Sequence, residues 1–176
     1  MAQVQKPPAA LRVHDSTVVL PDGRSFVAGL QQLRAHGLLG SKGEYVVLSG
    51  FGCEDCDAVR SVYVMRVGER LDWNKQPSPP VFAYPGTTRD TENKVVARSR
   101  LFFGQCGNDS TPTVIQFART QRSGKWTDSI HVAALRADSL VTSSEGHTGG
   151  RLDQVLARVQ KGECLEVTPN QQQVEP

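Results

Sequence analysis

Apolar residues in this chain fall in short runs separated by turn-forming residues. Thr17-Val18-Val19-Leu20 and Arg24-Ser25-Phe26-Val27 flank Pro21-Asp22-Gly23, which predicts a hairpin closed by a tight Asp-Gly turn. Leu30, Leu33 and Leu38, with Gln31, Gln32 and Arg34 between them, suggest a short helix that Gly37 and Gly40 would end. Tyr45-Val46-Val47-Leu48 and residues 61–67 read as buried strands joined by the loop that holds Cys53 and Cys56. Residues 69–89 contain Pro77, Pro79, Pro80 and Pro85, which predicts an extended surface loop rather than a regular element. Strand character returns over 94–103. Residues 114–118 and 129–133 then flank the turn-like stretch 122–126, an antiparallel hairpin pattern that Leu140-Val141 extends by an edge. Leu152, Val155, Leu156 and Val159 fall at i, i+3, i+4 and i+7, which predicts a helix over 151–161 that buries this face and stops at Gly162.

Strands following strands, with helices only near residues 35 and 155, define an α+β class. The expected architecture is a mainly antiparallel β-sheet with one or two packed helices, stabilised by disulfides. The predicted division is a flexible N-terminal segment (1–10), one globular domain (11–168) and a flexible tail (169–176). With 176 residues, 38% hydrophobic and 22% charged, the chain can bury a core without disulfides. Its 20 basic and 18 acidic residues, net +2, are too balanced to imply a nucleic-acid partner. No apolar run approaches the roughly 18 residues a membrane span needs.

Four cysteines change the picture most. Cys53-Glu54-Asp55-Cys56 could be a redox pair, half of a zinc site or a structural bridge. A redox thiolate needs positive surroundings or a helix N-terminus. Here Glu54, Asp55 and Asp57 surround the thiols, and the next element is a strand. Zinc needs four ligands, usually as two short-spaced pairs. Cys106 and Cys164 lie far apart, and no His stands close to either. Structural disulfides remain the favoured reading, and four cysteines permit three connectivities. The close pair can be bridged within one turn, Cys106 ends a core strand, and Cys164 leaves the helix packed on the sheet. The expected bridges are therefore Cys53–Cys56 and Cys106–Cys164, in an oxidising compartment.

No catalytic set assembles from the remaining residues. His14 falls in the head, His36 near a helix end, His131 between Ile130 and Val132 on a strand, and His147 in a Gly-rich loop over 143–150. There is no Gly-x-Ser-x-Gly elbow. Glu54, Asp55 and Asp57, with Asp90 or Glu92, could offer oxygen ligands to calcium, but lack the spacing of an EF-hand loop. The Gly-rich stretches at 37–42 and 50–52 lack phosphate-loop spacing. No catalytic residue, metal ligand or cofactor is assigned. Arg98, Arg100, Arg119, Arg122, Lys125 and Arg136 gather positive charge on the central strands, which would suit an acidic partner. Trp126 beside Lys125 at a hairpin tip reads either as an exposed hot spot or as a cap folded onto the sheet.

Ser49-Gly50-Phe51-Gly52-Cys53-Glu54-Asp55-Cys56-Asp57, Tyr84-Pro85-Gly86, the stretch 99–106 ending in Gly104-Gln105-Cys106, Gly124-Lys125-Trp126 and Gly162-Glu163-Cys164-Leu165-Glu166 together resemble small exported proteins of Gram-negative bacteria. The similarity covers about residues 45 to 167. It implies a periplasmic location and stable disulfides, and no activity. Lysozyme-inhibitor families carry a Ser-Gly-x-x-Tyr-type motif, whereas Cys53 stands here where their Tyr would. The N-terminus, with no apolar leader, would suit a cytosolic chain or a mature exported one whose signal peptide is replaced by an initiator Met, and the cysteines favour the second.

The resulting expectation is a non-enzymatic periplasmic or secreted binding protein. It would be an immunity or inhibitor protein that blocks a toxin or cell-wall hydrolase by loop insertion. The expected contacts are Arg122, Ser123, Lys125 and Trp126 at the tip, with Ser144 and His147 from the second loop. The alternative is a thiol-disulfide or metal-dependent enzyme centred on Cys53 and Cys56.

Overall fold

A computed structural model describes residues 11–52, 60–72, 79–146 and 149–169. In chain order the strands are β1 (Arg12–His14), β2 (Thr17–Val19), β3 (Ser25–Val27), β4 (Gln31–Leu39), β5 (Tyr45–Phe51), β6 (Ser61–Arg66), β7 (Val81–Ala83), β8 (Gly86–Asp90), β9 (Val95–Gly104), β10 (Thr113–Arg122), β11 (Lys125–Arg136) and β12 (Ser139–Gly146). Helix α1 (Arg151–Gln160) and strand β13 (Cys164–Val167) complete the described elements. Every pairing is antiparallel. The fold is thus the expected one, a mostly antiparallel β structure with a single packed helix among the described residues. None of these helical residues forms a segment long and apolar enough to cross a membrane.

The strands form three sheets: β1-β2-β3, β4-β5-β6-β7, and β12-β11-β10-β9-β13, with β8 pairing the first half of β9. Three apolar layers order them. Val46, Leu48, Tyr63 and Met65 meet Val18 and Leu30 between the three- and four-stranded sheets. Tyr45, Val47, Val62 and Val64 meet Leu101, Phe103, Val114 and Ala133 between the four- and six-stranded sheets. On the far side, Phe102, Ile115, Ile130 and Val132 pack under α1. Both central sheets are therefore covered on two faces. That is why β5 and β6 read as continuous apolar runs rather than as an alternation.

Several expectations change. The helix near residue 35 is strand β4, and its partner β5 runs beside it from Gln31↔Phe51 to Leu39↔Tyr45. The proline-rich stretch holds β7 and β8, with Pro80 and Pro85 at strand ends, where a missing N–H costs no ladder bond. Residues 143–146, expected as loop, belong to edge strand β12. His14 sits on β1, paired with Thr17, rather than in a frayed head. The head (1–10), residues 170–176 of the tail, and Cys53 and Cys56 lie outside the described residues.

Helix α1 packs as the periodicity predicts, with one refinement. Val155 is fully buried, whereas Leu152, Leu156 and Val159 are only partly covered. The helix ends at Gly162, whose N–H donates to the Val159 carbonyl at 3.0 Å. Val155→Ala is expected to cost about 2 kcal/mol, two methyl groups at about 0.8 kcal/mol each plus residual void. Leu156→Ala, at a partly buried position, should fall at or below the roughly 2 kcal/mol lower edge for buried leucines. Urea melts check both; a Val155→Ala loss under about 0.5 kcal/mol would mean that α1 does not hold the outer face of the sheet.

Candidate functional site

β10 and β11 pair without interruption from Thr113↔Ala134 to Arg122↔Lys125. Their turn is the two-residue pair Ser123 and Gly124, both left-handed (φ 50° and 79°). A turn with both central residues in this region matches the right-handed twist of its strands, and glycine adopts it without a Cβ penalty. The tip is accordingly a fixed extension of the sheet and not a loose loop.

Strand alternation then divides the tip residues between two faces. Trp126 lies opposite Gln121, and Arg119 lies between Asp128 and Arg98 on its two neighbouring strands. All of these share the face that carries α1. Arg122 and Lys125 pair with each other on the opposite face. Trp126 is half-buried rather than exposed, with the Arg119 and Arg98 guanidiniums 5.0 and 5.4 Å from its ring centroid. Arg119 also pairs with Asp128 at 3.2 Å. Farther along the same face Arg100 makes two bonds to Glu166, at 2.8 and 3.0 Å, which raise its pKa above the ordinary arginine value. Arg98 has no carboxylate partner among the described residues. The result is an aromatic plate rimmed by guanidiniums.

Ser144 sits elsewhere. It pairs with His131, on the face opposite Trp126, and its Oγ is 3.0 Å from His131 Nδ1. Ser129 Oγ lies 3.3 Å from the other ring nitrogen. His131 and Ser144 line a cleft of about 520 Å³ with Phe82 and Gln116, between β7 and the β11–β12 edge. Six residues of β11, about 20 Å at strand rise, separate His131 from the Lys125 end. The structure therefore brings Arg122, Ser123, Lys125 and Trp126 to one end of the sheet and leaves Ser144 as a separate patch. His147 lies outside the described residues, as do Glu54, Asp55 and Asp57. Asp90 caps its own turn by accepting from the backbone N–H of Glu92 and Asn93. Among the described residues no three His, Cys, Asp or Glu side chains gather as a metal site.

A second polar cluster was not anticipated. β4 carries two register shifts, between Gln31 and Arg34 and between Ala35 and Gly37, and the second makes His36 the extra residue of a bulge. His36 Nε2 lies 2.8 Å from Ser49 Oγ, and Arg60 Nη1 donates to the same oxygen at 3.2 Å. Arg34 Nη1 donates to Tyr84 Oη at 3.2 Å, and that hydroxyl donates to the Pro169 carbonyl. Burial, reinforced by the charges of Arg60 and Arg34, lowers the His36 pKa to about 4. The imidazole is therefore neutral at pH 7, and Nε2 can accept from the Ser49 hydroxyl. Ser49 itself is fully buried. Gly37 is required beside it, because a Cβ there would stand 2.5 Å from the Phe103 ring. The signal in the sequence was Arg34 and His36 alternating with Leu33, Ala35 and Gly37, and Ser49 closing the apolar run of β5.

Comparison with protein-family models, curated proteins and solved structures returns no match for this chain.

Proposed function

We propose that this chain is a non-enzymatic binding protein of the periplasm or extracellular space, which blocks another protein such as a toxin or cell-wall hydrolase. The observation that carries the reading is Trp126 held on a rigid hairpin with Arg98 and Arg119 against its ring. Tryptophan and arginine are the side chains that most often dominate interfaces. Here the strand pairing has already restricted their freedom, which lowers the ordering cost of binding. The basic rim favours a partner with an acidic cleft, whose association should slow as salt rises. The buried Cys106–Cys164 bridge supports an oxidising compartment.

The test is capture from a native periplasmic extract, followed by affinity measurement with the purified partner. Trp126→Ala is expected to weaken binding about 30-fold or more, the equivalent of about 2 kcal/mol. Arg98→Ala should lose less. Ser144→Ala, on the other face, should leave the affinity unchanged. If a folded Arg122→Ala/Lys125→Ala/Trp126→Ala variant keeps every wild-type partner at wild-type affinity, the hairpin end is not the contact surface.

A further inference from the structure

We propose that Arg34 and Arg60, with His36, Ser49, Phe51 and Tyr84 around them, form a binding site for a carboxylate group. The site is distinct from the Trp126 face and does not depend on it.

Two guanidiniums converge here, Arg34 from β4 and Arg60 from the residue just before β6, beside a partly buried neutral imidazole. No carboxylate lies within ion-pair distance of either guanidinium among the described residues. Such a pairing of like charges in a half-buried place is unfavourable by itself. Burial, then the charge of Arg34, holds the Arg60 pKa below the ordinary arginine value. An anion between them would remove that opposition.

The hydrogen bonds point to the same chemistry. Each guanidinium carries five N–H donors. One bond from Arg34, to Tyr84 Oη, and one from Arg60, to Ser49 Oγ, are satisfied by described side chains. Both hydroxyls give their own protons elsewhere, Tyr84 to the Pro169 carbonyl and Ser49 to His36, so they face the guanidiniums as acceptors only and bring no negative charge. The Arg60 fork is further fixed by two aromatic rings, Phe51 at 5.2 Å and Tyr84 at 5.7 Å from its central carbon. A rigid planar fork suits a planar carboxylate, which accepts two parallel N–H bonds from one guanidinium. His36, being neutral, adds no charge and serves to hold the Ser49 hydroxyl toward itself, leaving the Ser49 lone pairs to Arg60. The same rings would line the approach for the ligand's remainder, so the site favours an aromatic carboxylate over a short aliphatic one.

The experiment is a titration of the full-length protein, ¹⁵N-labelled, with benzoate, acetate, phosphate and chloride at constant ionic strength and pH 7. The arginine Nε–H and His36 ring signals are the readout. Benzoate is expected to saturate the Arg34 and Arg60 signals about tenfold more tightly than acetate, and chloride to leave them unmoved. Arg34→Gln and Arg60→Gln should each weaken benzoate about tenfold or more, the loss expected for a charge-assisted bond. Arg34→Lys and Arg60→Lys keep charge and stem, so they report on the fork even if the glutamine variants fail to fold; they too should bind more weakly. Non-saturating shifts, shifts that survive all four substitutions, or equal response to phosphate or chloride would overturn the proposal. So would benzoate binding seen only in Glu54→Gln/Asp55→Asn/Asp57→Asn, since the carboxylate would then be the chain's own.

Discussion

Cys106→Ala/Cys164→Ala is expected to lower the stability of the fold by about 4 kcal/mol. The bridge closes a separation of 58 residues, and loop-closure entropy at that length gives about 4 kcal/mol, less any native-state strain. Its placement makes the loss concrete. Both half-cystines are buried beneath α1 in the outer apolar layer, with their Cα atoms 5.1 Å apart. Cys164 opens β13, whose pairing with β9 covers only Cys164↔Gly104 to Val167↔Leu101. Four residue pairs at a sheet edge are a short ladder, so the covalent link reinforces what Val155 burial and the Arg100–Glu166 pair contribute in tying the α1–β13 unit to the sheet. Urea unfolding of the double variant beside the oxidised parent measures the difference. Hydrogen exchange should locate the first opening in α1 and β13. A loss under about 1 kcal/mol, or uniform exchange across the six-stranded sheet, would remove the bridge from this role.

The parts of the fold that could be read in advance were those whose spacing was undisturbed. β2–β3 and β10–β11 announce themselves by turn residues between apolar runs, α1 by an i, i+3, i+4, i+7 face, and the Cys106–Cys164 pairing by where those elements end. β4 shows why the rest was hidden. Leu30 just before it and Leu33, Ala35 and Leu38 within it all lie in the layer against the three-stranded sheet. A regular strand would space them by two. Each bulge inserts one residue, so two of the intervals stretch to three and imitate a helix. Gln32, with φ 48°, marks the first insertion. No local propensity distinguishes that pattern from an amphipathic turn; only β5, pairing alongside it, does.

The candidate surface was legible in identity and not in geometry. Trp126 stands out in the sequence, and so does its neighbour Lys125, yet alternation along β11 sends the two side chains to opposite faces. Arg98 and Arg119 come to the tryptophan through cross-strand register. Arg119↔Asp128 follows once the turn is centred on Ser123 and Gly124, but Arg98 needs the pairing of β9 with β10 as well. Ser144 was displaced from this surface by the same logic, since β12 continues as a strand to Gly146. The His36 cluster depends on a bulge, two sheet layers and a segment after β7, and no single stretch of the chain encodes it.

That cluster also gives the protein a definite pH dependence, which is the second large effect expected. His36 has a folded-state pKa of about 4 against 6.5 for an unperturbed histidine, lowered first by burial and then by Arg60 and Arg34. Among the described residues, the hydroxyls of Ser49 and Tyr84 are the side-chain groups bonded to the cluster, and no carboxylate pairs with its arginines. Because the folded value lies below the unfolded one, the unfolded chain takes up the proton first as pH falls. The stabilisation is complete above pH 6.5, erodes between 6.5 and about 4, and is exhausted below that. Its size is about 3 kcal/mol, from about 1.4 kcal/mol per tenfold change in proton affinity. Carboxylates such as Glu163, held below the usual carboxylate range by its bond from Arg158, add their own acid-side loss, so the wild-type curve alone does not isolate the imidazole. The comparison that does is urea unfolding at pH 7 and pH 4 in wild type and in His36→Gln. Glutamine can still bond to Ser49 but has no proton to gain, so the variant should lose about 3 kcal/mol less than wild type on acidification. Equal losses would mean that His36 titrates as it does in the unfolded chain, and that the two arginines and the burial around it do not keep it neutral.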